Sequence, residues 1–221
     1  MGTTNRRNAA VAGFAFLFYI AIGIVQMALS GTAGATGTAA VLARMAQHAT
    51  EVRVNVVLGL LTCLTALVLA ATLHEMTRAH GPSLALIGMS CRVCEGLIGG
   101  LSSPVVLGTL WLGMAGGPDA ATTSAAGSVL LHIQALYPTV AAIFFAVGSA
   151  LFSWLFLRGR MVPAALAWLG VIASALLVVG LPLQLTGALH GAFSQLMWLP
   201  MAAFEIPLGL WMLIKGVASP P

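Results

Sequence analysis

Charge is what this sequence has least of. Of its 221 residues only 6% are Asp, Glu, Lys or Arg, 60% are hydrophobic, and the mean hydropathy is +1.03. A water-soluble domain carries about 25% charged residues because its surface faces water, so a soluble globular fold is excluded. Also absent are a phosphate loop, a dinucleotide fingerprint and a metalloprotease motif, which removes the nucleotide and zinc-peptidase chemistries that sequence alone reveals. No basic cluster is interleaved with exposed aromatics, so the net charge of +4 does not imply a nucleic-acid partner.

What is present is long apolar runs. Crossing a hydrocarbon layer of ~30 Å takes about 20 helical residues, and six runs qualify, at roughly 9–30, 53–74, 83–113, 128–157, 163–185 and 192–214. In lipid each backbone N–H and C=O must be satisfied within a helix or a closed barrel, and the ~10-residue alternation of barrel strands is missing. The expected fold is all-α: one polytopic transmembrane bundle of six spans that forms a single domain over 1–221, with the lipid bilayer as its solvent. The first run follows Arg6 and Arg7 and has small residues Ala33 and Ala35 after it, like a signal peptide. Its apolar stretch exceeds the usual 7–15 residues, however, and it reads as an uncleaved first span.

Basic residues set the orientation. Arg6, Arg7, Arg78, Arg158, Arg160 and Lys215 fall on the side of the termini, against Arg44 and Arg53 opposite, which puts both termini in the cytoplasm. The connections are short apart from the outward segments 31–52 and 115–127. In the first, the Gly/Thr-rich stretch from Gly31 to Thr38 precedes a short helix from Ala39 to about Ala49, with Thr38 as its cap. Val41, Leu42, Met45 and Ala49 share one face of that helix, a pattern suited to lying on the outer membrane surface.

Three ionisable residues fall deep in the spans. At 1.5 Å per residue, Arg92 lies about 13 Å and Glu95 about 18 Å from the inner end of span three, and Glu205 about 18 Å from the outer end of span six. All three thus reach one midplane level. Arg92 and Glu95, at i and i+3, share a helix face and are able to pair. A second carboxylate makes the cluster net negative unless one acid holds a proton. A charge at that depth costs several kcal/mol, so it faces the bundle interior. One reading is a central site where Arg92 fixes an anionic or polar ligand and a Glu transfers a proton. The other is a structural ion-pair network between spans three and six. Pro207 after Glu205, and Ser102-Ser103-Pro104 after Glu95, are placed to kink both helices and free carbonyls beside a cavity.

The remaining polar residues read less specifically. Asn55, Gln134 and Tyr137 either extend a polar path from the outer face toward Glu205 or serve as interhelical hydrogen-bond partners. Cys91 and Cys94 form a CxxC near the depth of Cys63, but the outward loops hold no cysteine for a thiol shuttle, and buried Cys commonly acts as a small apolar residue. His48, His132 and His190 all lie toward the outer face, where Glu51 or Asp119 would complete a zinc or copper site, yet no short-range ligand pair such as HxxxH joins them. His74 and His80 flank Glu75 and Arg78 at the inner interface and read as solvated. Gly96 with Gly100, and Gly170 with Ser174, are packing seams. The methionines and Trp154, Trp168, Trp198 and Trp211 read as lipid-facing filler and interfacial anchors.

Three segments carry a family resemblance: Ser90-Cys-Arg-Val-Cys-Glu-Gly-Leu-Ile-Gly, the turn Leu157-Arg-Gly-Arg-Met-Val-Pro163 leading into Leu166-Ala-Trp-Leu-Gly170, and Phe204-Glu-Ile-Pro-Leu-Gly-Leu-Trp-Met-Leu-Ile-Lys-Gly216. In these the chain resembles the domain-of-unknown-function 4386 family of bacterial six-helix membrane proteins. The resemblance implies roles for Arg92, Glu95, Glu205, Pro163, Trp211, Lys215 and Gly216, and a bacterial inner-membrane location. It implies no activity and no cofactor, and the two cysteines around Arg92 depart from its pattern. Three functions therefore stay open. The first is a binding or transport protein for a small polar or amphiphilic ligand, dimeric because six spans are few for a transporter. The second is an intramembrane enzyme with Glu95 or Glu205 as general acid on a lipid or isoprenoid. The third is an assembly factor whose charge cluster is dry and fully paired.

Overall fold

The computed structural model describes residues 3–29, 35–116 and 119–218. The stretch Gly31–Gly34, with Ala33, lies outside the described residues. All the regular structure described is helical: α1 (Thr3–Ala28), α2 (Thr38–Gln47), α3 (Ala49–Thr77), α4 (Pro82–Ala115), α5 (Ala120–Arg158), α6 (Ala164–Leu185), α7 (Ala192–Leu196) and α8 (Leu199–Ile214), with a 3-10 turn at Arg78–His80. Six helical segments are long and apolar enough to cross a membrane: α1, α3 with its 3-10 turn, α4, α5, α6, and α7 with α8.

The boundaries differ from the sequence reading where local chemistry outweighs hydropathy. α5 begins at Ala120 rather than near 128. Its first turns are small and polar, but Ala favours helix and Asp119 supplies a strong cap, accepting from the Thr122 backbone N–H at 2.7 Å and from the Thr122 hydroxyl at 2.9 Å. These bonds to its charged form hold the Asp119 carboxyl below the usual range. At 34 and 39 residues, α4 and α5 run to about 51 and 58 Å, well beyond the hydrocarbon. Span six is broken instead of continuous: α7 ends in a turn at Met197 and Trp198 before Pro200, which enters α8 in its first turn, where its missing N–H is harmless. Helices α4 and α8 continue through Pro104 and Pro207 without interruption.

Around the bundle, α1 packs on α3, α3 on α4, α4 on α5, α5 on α6, α6 on α8, and α8 back on α1. The chain order is thus the order around a closed ring. Closure depends on Gly13: a Cβ there would sit 2.6 Å from the Gly209 carbonyl oxygen and 2.7 Å from the Leu213 nitrogen, so α1 and α8 meet backbone to backbone. One half of the interior, toward the His80 end, is filled by residues including Ala9, Phe16, Leu73, Phe152, Phe156 and Met212. A smaller cluster of Met45, Val52 and Leu110 closes the α2 end.

α2 exists as expected, with two corrections. Gly37, not Thr38, occupies its cap position, with φ at 89°, and Thr38 is the first helical residue. The apolar face does not lie on lipid: Leu42 is buried over Gly113 of α4 and Gly127 of α5, where its backbone oxygen would be 2.6 Å from a Cβ on Gly113. The methionines are also corrected. Met45, Met76, Met161, Met197, Met201 and Met212 are buried, filling irregular gaps between helices, whereas Trp154, Trp168 and Trp211 are exposed on the apolar surface as expected.

Two outcomes follow. Gly13→Val should lower the unfolding temperature in detergent sharply, by overpacking worth about 1–3 kcal/mol or more, whereas Gly23→Ala, which meets nothing within 4 Å, should leave it unchanged. Scanning fluorimetry on the two variants distinguishes ring closure at Gly13 from a loose α1. The Asp119 carboxyl should titrate below the ordinary value for Asp, about 3.9, so its cap persists above that pH and fades as pH falls through the lowered midpoint. The Thr122 amide shift followed by NMR reports that midpoint, and an ordinary or raised value would contradict the cap.

Candidate functional site

Arg92 and Glu95 project from α4 into the ring and are 1% and 4% exposed; Glu205 projects from α8 and is 8% exposed. The i, i+3 spacing brings Arg92 Nη1 to 2.9 Å from Glu95 Oε2. The hydrogens of Nη1 do not point at that oxygen, so the pair is a charge contact without an aligned hydrogen bond, and Nε and Nη2 also lack an acceptor among the described residues. The other Glu95 oxygen is aligned: Tyr19 of α1 donates its hydroxyl to Oε1 at 2.7 Å. Three rings surround the guanidinium, with Cζ at 5.0 Å from the centroid of Phe145, 5.8 Å from Tyr19 and 6.0 Å from Phe16. Cation–π attraction in a dry site offsets part of the lost hydration that no acceptor replaces.

Beside this cluster lies a half-open chamber of about 690 Å³ whose wall includes Tyr19, Glu95, Tyr137, Phe145, Trp198 and Glu205, with the exposed Ile24, Met27 and Ile206 at its rim. That volume is within the ~300–1,000 Å³ of small-molecule sites. A second cavity of about 250 Å³ adjoins it toward α2, sharing Gln26, Gly59, Ser102 and Pro138 and carrying Asn55 and Gln134. On the opposite side of Arg92, the space shrinks to about 10 Å³ under Phe152, Phe156 and Phe204. The chamber thus leads toward the α2 end and is sealed toward the His80 end.

Of the sequence candidates, Glu95, Glu205 and Tyr137 line the chamber, and Asn55 and Gln134 line its vestibule. Asn55 Oδ1 and Gln134 Oε1 are buried without a hydrogen-bond partner among the described residues, so they do not make the interhelical bonds that were the alternative reading. Arg92 is placed differently from the expectation that it fixes a ligand: it does not line the chamber, because Glu95, Tyr19 and Phe145 stand in front of it. Glu205 has no hydrogen bond or ion pair among the described residues and faces the open space.

The histidines are not brought together. His48 Nδ1 contacts Glu51 Oε1 at 3.0 Å, His132 and His190 are exposed, and Asp119 is taken up by its cap; among the described residues no three His, Cys, Asp or Glu side chains are grouped as metal ligands. His80 is half-buried, short of the solvated position expected. Its ring lies over Gly159, where a Cβ would meet it at 2.6 Å, and Nε2 is buried without a hydrogen-bond partner among the described residues. Cys63, Cys91 and Cys94 are free thiols, and Cys63 packs into the Gly96/Gly100 seam, which is the packing expected of those glycines. Gly170 likewise abuts Phe204 and Ser153. Trp198 is a chamber wall whose ring centroid is 6.2 Å from that of Phe145, rather than an interfacial anchor.

Sequence reasoning missed Tyr19, Phe16 and Phe145. Tyr19 had a usable signal: with only two tyrosines in the chain, a hydroxyl inside an apolar run must find a partner away from lipid. The phenylalanines had none, since nothing in their spacing separates a ring facing a guanidinium from one facing a leucine.

The ring of six apolar helices around a buried charge cluster defines a multi-pass integral membrane protein. The family model described as Domain of unknown function (DUF4386) matches residues 11–216, and the chain belongs to that family. No curated protein and no solved structure matches it.

Arg92→Ala strands the Glu95 carboxylate and should destabilise the protein by about 3–5 kcal/mol, read as a large fall in unfolding temperature in detergent. Arg92→Met combined with Glu95→Gln should recover most of that loss. Equal stability of Arg92→Ala and the wild type would mean that the pair holds nothing together.

Proposed function

We propose that this protein binds a small polar or amphiphilic ligand in the chamber, with Glu95, Glu205 and Tyr137 as contacts, Asn55 and Gln134 along the approach, and Arg92 holding Glu95 in place. The observation that carries this reading is the open volume of about 690 Å³ directly beside a buried, unpartnered Glu205. An assembly factor with a purely architectural cluster would have a dry and fully paired one. Gly23 and Gly99 line the same chamber, and a Cβ on either would meet nothing within 4 Å, so these glycines leave room instead of drawing helices together.

In this proposal the protein is a homodimer in a bacterial cytoplasmic membrane with both termini inside. The positive residues Arg6, Arg7, Arg78, Arg158, Arg160 and Lys215, all at the sealed end, support that orientation. The chamber then approaches the outer face. Native mass spectrometry of the protein released from mild detergent tests the reading: a retained small-molecule adduct is expected on the wild type and should be lost in Gly99→Phe, which fills the chamber without touching its neighbours at Cβ. Identical spectra for the two proteins would overturn it.

A further inference from the structure

The chamber presents one sign of charge, and that bears on what enters it. Arg92 and Glu95 pair at 2.9 Å, and Glu205, although within electrostatic reach of Arg92, has no ion pair of its own, so the three charges sum to one net negative. Among the described residues that line the chamber there is no Lys, Arg or His, and both charged groups are carboxylates. An anionic head would meet two acids and no cation, because the guanidinium is behind Glu95 and its rings. A cation would instead complete the charge balance of Glu205, a group 8% exposed with no hydrogen bond or ion pair among the described residues.

The wall suits that choice. Tyr19, Tyr137, Phe145 and Trp198 offer ring faces around the carboxylates, and a ligand cation is drawn to such faces, most strongly where water is excluded. Beyond them the lining is apolar, with Ile20, Ile24, Ala141 and Ile206 in place for a hydrocarbon portion. From the unpaired acid, the absence of a lining base and the aromatic wall, we infer that the ligand is a lipophilic cation, an ammonium head on an apolar body, with its charge against Glu205. This rests on the chamber being a binding site, as proposed above, and adds the sign and class of the occupant.

Tetraphenylphosphonium and tetraphenylborate test it, being lipophilic ions of the same shape and opposite charge. Equilibrium binding of each is measured on the full chain in an uncharged maltoside detergent. The cation should bind at least about ten-fold tighter than the anion, a difference of about 1.4 kcal/mol. Glu205→Gln should remove that preference and Glu205→Asp, which keeps the charge, should retain it, both variants being checked for a monodisperse elution profile. Equal affinity for the two ions, preference for the borate, binding of neither, or a cation preference undiminished in a well-folded Glu205→Gln would each overturn the cationic class. The broader chamber reading is judged separately by whether Gly99→Phe loses a retained adduct.

Discussion

A buried guanidinium governs this bundle. Arg92 carries a permanent charge and five N–H donors into a site that is 1% exposed, and among the described residues only Glu95 forms an ion pair with it. Each partner around it follows from that requirement. Glu95 must be on the same helix face, Tyr19 must reach from α1 to steady the carboxylate, and Phe16, Tyr19 and Phe145 must supply ring faces where acceptors are missing. Because those residues come from α1, α4 and α5, the cluster ties α1 across the ring to the adjoining pair α4 and α5. A buried pair is weak evidence for stability, since apolar replacements of the same volume often do as well, but removing one partner alone is costly. The cluster therefore constrains the arrangement more than it strengthens it.

The interior on the two sides of that pair is asymmetric. Toward the His80 end the aromatic and aliphatic core closes tightly on Arg92, leaving about 10 Å³, while toward α2 it leaves about 690 Å³. With Arg92 and Glu95 committed to each other, Glu205 on α8 is the carboxylate left over. An unpaired acid at the edge of an apolar chamber is costly in isolation, which is why membrane proteins retain such groups where they do work. Helix α8 carries both the Gly209 contact that closes the ring and Glu205 four residues before it, so closure and placement of the acid are linked through one short helix.

Much of this was legible in the letters for physical reasons. Hydropathy forces six spans because lipid leaves the backbone no alternative, and counting depth at 1.5 Å per residue put Arg92, Glu95 and Glu205 at one level. The i, i+3 spacing made the Arg92–Glu95 pair readable. What could not be read was lateral: depth says nothing about which way a helix is rotated, so nothing placed Tyr19 on Glu95, hid Arg92 behind Phe145, or turned Trp198 inward. The early start of α5 was obscured for a different reason, since Ala120–Gly127 is too polar for a hydropathy window yet well capped by Asp119. The inward methionines were misread because their flexible thioethers suit lipid and irregular core equally well.

One map can decide whether Arg92 is engaged by Glu95 while Glu205 faces an occupied chamber, as proposed. A high-resolution cryo-EM or crystallographic map of the wild-type protein, purified in mild detergent, tests it directly. The expected result is non-protein density in the chamber, elongated along the apolar wall and within hydrogen-bond distance of Glu205, with Arg92 still paired to Glu95. A chamber closed by side chains, with Glu205 turned onto Arg92 and no density between them, would contradict it.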